Sequence, residues 1–201
     1  MSDTDASTGG RPRRRPARER LLAAAARRFY ADGVAATGID TITADAGVAK
    51  MSLYNNFSSK AELVRAYLDA RHEEWFGLYR ARLEQAHGPR DGVLAVFDAY
   101  ADHAAFAYEH GFRGCGLLNA AAELPAGDEG RALVRAHKEE VEGLIAGHLE
   151  HLLPDRPDTA HALAEHLSFL LEGAMARAGL EGDGVRLQHA RSLAAALLDR
   201  L

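Results

Sequence analysis

Residues 37–63, TGIDTITADAGVAKMSLYNNFSSKAEL, constrain the fold more than any other stretch of this chain. Ile39, Ile42 and Ala46 recur at i, i+3 and i+7, which makes one apolar face of a short helix. Thr37 reads as its N-cap, with Asp40 three residues on to complete a capping box. Gly47 supplies a residue that closes a helix in the left-handed conformation. Val48 then restarts the apolar pattern, and Leu53 and Phe57 carry it on. A turn this short leaves the second helix projecting at a steep angle, the geometry of a helix-turn-helix. In that geometry the second helix can enter the major groove of DNA.

A net charge of −5 looks wrong for a partner of DNA until it is divided along the chain. Residues 1–62 hold ten Lys and Arg against seven Asp and Glu, a net +3, and residues 63–201 hold fourteen against twenty-two, a net −8. Residues 11–20 alone carry six arginines against Glu19. Only the first part is suited to a polyanion. Residues 1–15 show no apolar periodicity and are expected to be a disordered basic arm. Arg13, Arg14 and Arg15 in it are expected to follow the phosphate backbone or enter the minor groove.

Ala and Leu dominate and no alternating strand-like run stands out, so the expected class is all-α. A first helix is predicted from about Ala17 to Asp32. A long amphipathic helix is predicted from Lys60 to near Gly88-Pro89, and helical patterns follow at about 91–110, 113–123, 126–153, 157–178 and 184–200. The organisation implied is a three-helix head over 16–62 and a helical bundle over 63–201.

Several of these residues, taken together, resemble the TetR/AcrR family of bacterial transcriptional regulators. They are Ala46-Gly47-Val48 at the turn, Leu53-Tyr54 on the second helix, Phe57, and Ser59-Lys60-Ala61-Glu62-Leu63 opening the next helix. Leu22, Ala25, Ala26, Phe29 and Gly33 of the upstream helix fit as well. A weaker echo runs from Phe112 to Glu123, around Arg113-Gly114-Cys115 and Asn119-Ala120. One departure is Asn56, where the family often has His; Asn still donates to phosphate, without the charge. The resemblance implies a ligand-responsive regulator, a repressor in the leading reading, acting as a homodimer on a palindromic operator. It implies a small effector inside the bundle and a dimer interface made by the last two helices.

Groove readout needs short projecting side chains early on the recognition helix. Lys50, Met51 and Ser52 occupy that region. Lys50 can reach guanine or a phosphate, Ser52 a base edge or a phosphate, and Met51 a thymine methyl. The resemblance adds Tyr54 as a backbone contact, with Asn55 and Asn56 beside it. Lys60 opens a helix whose N-terminal amides also favour phosphate. Thr37 and Thr43 are expected to meet the flanking strand.

The bundle carries a series of aromatic residues that are ordinarily core, and the resemblance raises the expectation that some line a cavity. The candidates are Trp75, Phe76, Tyr79, Tyr100, Phe106 and Phe169, with Cys115 and the polar residues His72, His103, Asn119, Glu123 and Glu172. That mixture predicts an apolar or aromatic effector. On the dimer side, Leu163, Leu167, Leu170, Leu171 and Ala174 make one stripe, and Leu187, Ala190, Leu193, Ala194, Leu197 and Leu198 make another.

An enzyme is the alternative class, and it lacks motifs: there is no His-Glu-x-x-His, no Gly-rich phosphate loop and no nucleophile elbow. The expectation is therefore no catalysis, no cofactor and no metal, the pairs His148/His151 and His161/Glu165 being read as solvated faces. A constitutive DNA binder without an effector is the other alternative. Cys115 is the only cysteine, so no disulfide forms within the chain, which suits a reducing cytoplasm. No apolar run of membrane-spanning length is present.

Overall fold

The computed structural model describes residues 16–106 and 108–201, so the basic arm and its three arginines lie outside the described residues. Nine helices and no strand are found among the described residues. They are α1 (Ala17–Asp32), α2 (Ile39–Ala46), α3 (Lys50–Tyr54), α4 (Lys60–Leu83), α5 (Pro89–Ala104), α6 (Gly116–Glu123), α7 (Glu129–Leu152), α8 (Pro157–Glu181) and α9 (Val185–Leu198). No helix among the described residues is long and apolar enough to cross a membrane.

Local chemistry sets the boundaries. Gly47 adopts φ 60° and ψ 44° and ends α2, while the Val48 amide donates back to the Thr43 carbonyl at 3.1 Å. α4 begins at a capping box: Ser59 Oγ accepts from the Glu62 amide at 3.1 Å, and Glu62 accepts from the Ser58 amide at 2.6 Å. Pro89 and Pro157 stand at the first positions of α5 and α8, where no amide partner is needed. The predicted ends of α4 and α5 ran several residues too far. α4 stops at Leu83 and α5 at Ala104, because the segment after each turns before the next punctuating Gly.

Two cores meet along α4. One joins α1, α2 and α3 to the first half of α4 through Leu21, Phe29, Ile42, Leu53, Phe57 and Leu63. It continues past residue 62 to Tyr67, Leu68, Leu117, Ala120 and Val134, so α6 and α7 help to seal the head. The second is the bundle core, in which α5 packs on α4, α7 and α9, and α7 on α8. Burial of such side chains is the main stabilising term, roughly 1.5–3 kcal/mol each.

Candidate nucleic-acid interface and effector cavity

The turn between α2 and α3 is held from beneath. Arg20 on α1 donates to the carbonyls of Ala46 and Gly47 at 2.9 and 3.0 Å. Arg28 grips Asp45 with two bonds, at 2.6 and 3.2 Å, and that hydrogen-bonded guanidinium holds the carboxyl below its usual range. Leu53 and Phe57 are buried and anchor α3. The opposite face of α3 is open: Met51 is 70% exposed and Tyr54 47%. Met51 and Tyr54 therefore project from α3 into solvent, side by side with the exposed Lys50 and Asn55.

The polar candidates divide. Lys50 is exposed and pairs with Asp40 at 2.7 Å, a solvent-screened contact that a phosphate can displace. Asn55 is exposed, and Ser52, Asn56 and Lys60 are half-buried. Asn56 Nδ2 donates to the Ser52 carbonyl at 2.7 Å, which ties the end of α3. Thr37 and Thr43 require correction. Both are buried, and Thr37 Oγ1 donates to the Gly33 carbonyl at 2.7 Å while Thr43 Oγ1 donates to the Asp40 carbonyl at 3.0 Å. Their hydroxyls serve the backbone and neither faces a flanking strand. Nor is Thr37 the N-cap of α2; Gly38 holds that position, with no side-chain cap bond.

In the bundle, five helices enclose a cavity of about 20 Å³, room for roughly one water. Trp75 of α4, Tyr100 and His103 of α5 and Cys115 before α6 line it, as expected. Arg71, His137 and Lys138 also line it, and sequence reasoning did not select them. Lys138 Nζ donates to Glu172 at 2.8 Å and to the Tyr100 hydroxyl at 3.0 Å, and lies 3.6 Å from Cys115 Sγ. Burial works against the ammonium, but the ion pair with Glu172 and the hydrogen bond to the Tyr100 hydroxyl outweigh it, and Lys138 stays charged. Burial, with Arg71 and Lys138 nearby, pushes His103 down to about 4. Burial, with Lys138 and two histidines nearby, pushes His137 down to about 3. Both rings are therefore neutral.

The other cavity candidates lie elsewhere. His72 Nδ1 meets His137 Nδ1 at 3.2 Å, one layer behind the wall. Glu172 also stands behind it, as partner of Lys138. Phe76 and Tyr79 pack on Trp75 in the core, and the Tyr79 hydroxyl meets His148 Nε2 at 2.8 Å. Phe106 lines a separate, more open pocket with Tyr30, Arg71 and Tyr108, and Phe169 is 66% exposed on the outer face of α8, so neither lines this cavity. Asn119 Nδ2 donates to the Arg113 carbonyl at 2.9 Å, closing the turn before α6.

Glu123 belongs to a different structure. Its carboxylate accepts from the amides of Val34 and Ala35, at 3.0 and 2.6 Å, in the α1–α2 junction. At the other end of α6, Arg113 Nη1 donates to the carbonyls of Tyr30 and Ala31, which terminate α1. Tyr30 completes the joint by donating to the Gly114 carbonyl at 3.1 Å and accepting from the Arg113 amide at 2.7 Å. The segment 113–123 thus fastens the head while Cys115, Gly116 and Leu117 within it line the cavity. Gly114 (φ 81°) sits against Gly179 of α8 so closely that a Cβ on Gly179 would come within 2.7 Å of the Gly114 backbone.

The outer face of α8 and α9 carries Phe169, Leu193, Leu180 and Val185, which are 66, 50, 85 and 59% exposed. The buried members of the two predicted stripes, Leu167, Leu171, Leu187, Ala190, Ala194 and Leu198, instead join the bundle core. His161 meets Glu150 at 3.4 Å, and His151 bonds the Gly147 carbonyl at 2.6 Å. No three metal-ligating side chains converge among the described residues.

Comparison with known proteins gives a consistent answer. Residues 21–67 match the family described as bacterial regulatory proteins, tetR family. A TetR-family transcriptional regulator from Streptomyces coelicolor superposes with a TM-score of 0.82, at 31% identity over 92% of this chain and 95% of that one. A TetR transcriptional regulator from Chloroflexus aurantiacus superposes at 0.78, with 28% identity over 91% of this chain and 94% of that one. The regulator TtgR of Pseudomonas putida is 45% identical over 64 residues, 32% of this chain. That match spans only 30% of TtgR's own length. The activator FasR of Mycolicibacterium smegmatis is 34% identical over 110 residues, 55% of this chain and 48% of its own length.

Proposed function

This chain belongs to the TetR family of bacterial transcriptional regulators, and from that premise we propose that it is a homodimeric, ligand-responsive DNA-binding regulator. The observation that carries the reading is α3, which is anchored by Leu53 and Phe57 and turns Met51 and Tyr54 outward. In the proposed complex Met51, Ser52 and Lys50 read base edges, and Tyr54, Asn55 and Lys60 hold phosphates. Arg13, Arg14 and Arg15 add sequence-independent contacts. Two copies paired through α8 and α9 would set twin recognition helices about 34–36 Å apart on a palindrome. The exposed Phe169 and Leu193 supply the apolar surface for that pairing.

The effector would enter the cavity between α4 and α8 and act through the segment 113–123, which touches both cavity and head. It can shift the balance only by binding one pose more tightly than the other. Repression follows if the unliganded dimer holds the operator.

Mobility shift on DNA flanking the protein's own gene tests the reading, with Tyr54→Ala/Lys60→Ala as the control. A specific, mutant-sensitive shift is expected. Absence of any specific complex there and in a random-sequence selection would sink it. Sedimentation of Phe169→Glu/Leu193→Glu is expected to give monomers where the parent gives dimers.

A further inference from the structure

The cavity wall is chemically one-sided. Arg71 and Lys138 both line it, whereas the carboxylates that balance them do not. Glu74 pairs with Arg71 at 2.8 Å and Glu172 with Lys138 at 2.8 Å, each from behind the wall. Trp75 lines the cavity at 4% exposure, and its Nε1 has no hydrogen-bond partner; nor has Arg71 Nε. A buried donor without an acceptor is a standing penalty that a ligand can relieve. On the wall, the Tyr100 oxygen accepts from Lys138 and His137 Nδ1 meets His72 Nδ1; behind it, Glu172 Oε2 is buried without a hydrogen-bond partner. The cavity face therefore presents two cations and two spare donors, while the carboxylates that balance the cations stay behind it.

This adds an anionic group to the apolar or aromatic effector expected from the sequence and rests on the effector reading above. We propose that the effector carries a carboxylate, seated between Arg71, Lys138 and the Trp75 indole, with its apolar body against Leu117 and Met175. A charge-assisted bond to two cations is the strongest contact this wall can make. In its present form the cavity of about 20 Å³ admits little more than a water, so the apolar body displaces part of the wall. Met175 is suited to that, being unbranched and adaptable.

The probes are benzoate and hexanoate, with benzylamine and benzyl alcohol as the cationic and neutral counterparts, at matched ionic strength and pH. Full-length protein is titrated by thermal melting and calorimetry. The expected result is saturable stabilisation by at least one carboxylate and none by benzylamine. Trp75→Phe, which keeps an aromatic ring but removes the donor and part of the buried indole, is expected to weaken carboxylate binding about tenfold, read by calorimetry at a temperature where both free proteins are folded. Binding of benzylamine or benzyl alcohol as tight as that of the acids would overturn the proposal, as would no response to either acid. Binding undiminished in Trp75→Phe would overturn the placement. DNA mobility shift on the same preparations separates the two readings. A specific shift with no carboxylate binding removes this inference alone, and carboxylate binding without a specific shift removes the regulator reading alone.

Discussion

The recognition face of the head and the wall of the cavity are opposite constructions. On the head, apolar anchors lie beneath and the reactive surface is exposed, all within the forty or so residues from Arg20 to Lys60. In the bundle, charged groups from helices distant in sequence turn inward: Arg71, Lys138 and Glu172 come from α4, α7 and α8. An exposed face can lose a side chain at little cost to folding. A buried ionic cluster cannot, because removing one partner strands the other.

That contrast can be broken most forcefully at Lys138. Lys138→Met is expected to destabilise by about 3–5 kcal/mol, and Lys138→Met/Glu172→Leu to recover most of it; urea unfolding measures both. If the single and double variants unfold alike, the cluster is not a stability element. Leu53→Ala, in the anchor of α3, is expected to cost about 2–5 kcal/mol and to weaken DNA binding with it.

Acid sharpens the comparison next. His103 and His137 have folded pKa values of about 4 and 3, below their unfolded value near 6.5. The unfolded chain therefore binds protons first as pH falls, so stability is present above about pH 6.5 and is lost from there down to about 4 for His103 and about 3 for His137. The loss at pH 5 is on the order of 2 kcal/mol for each ring. His137→Phe is expected to reduce this slope by about half, read from urea midpoints across pH 5–7.

Glu123→Ala is expected to cost about 1–2 kcal/mol, since two backbone amides lose a charged acceptor. Met51→Ala sits at the small end: a stability change within about 0.5 kcal/mol, measured by melting, against a clear loss of operator affinity.

The same contrast explains what could be read from the sequence. The head was legible because its signals are local: the apolar spacing of Ile39, Ile42 and Ala46, the left-handed Gly47, and the outward Met51 and Tyr54 all lie in one short window. Thr37 and Thr43 were misplaced because a hydroxyl suits a cap, a phosphate or a carbonyl equally, and only packing decides among them. In the bundle, Trp75 and Tyr100 were named as members of an aromatic series, His103 as a polar residue among them and Cys115 beside them, and all four line the cavity. Arg71 and Lys138 sit in the runs RHEE and HKEE, which resemble solvated helix faces. Their burial depends on α5 and α8 closing over them, which no local pattern carries. Phe169 misled in the other direction, an aromatic residue that the fold leaves outside.

The fastening of α6 to the head bears on how regulators of this kind can be recombined. The family match ends at residue 67, which invites a cut there and the exchange of one head for another. Such a cut would part the α1 carbonyls from Arg113 and the α1–α2 amides from Glu123, contacts that lie 82 to 89 positions away in sequence. A transplanted head is expected to work only where its own junction accepts that arginine and that glutamate. Compatibility between sensing and reading modules is thus written in a connector that belongs to both, and hybrid regulators would be better drawn with 113–123 travelling alongside the head.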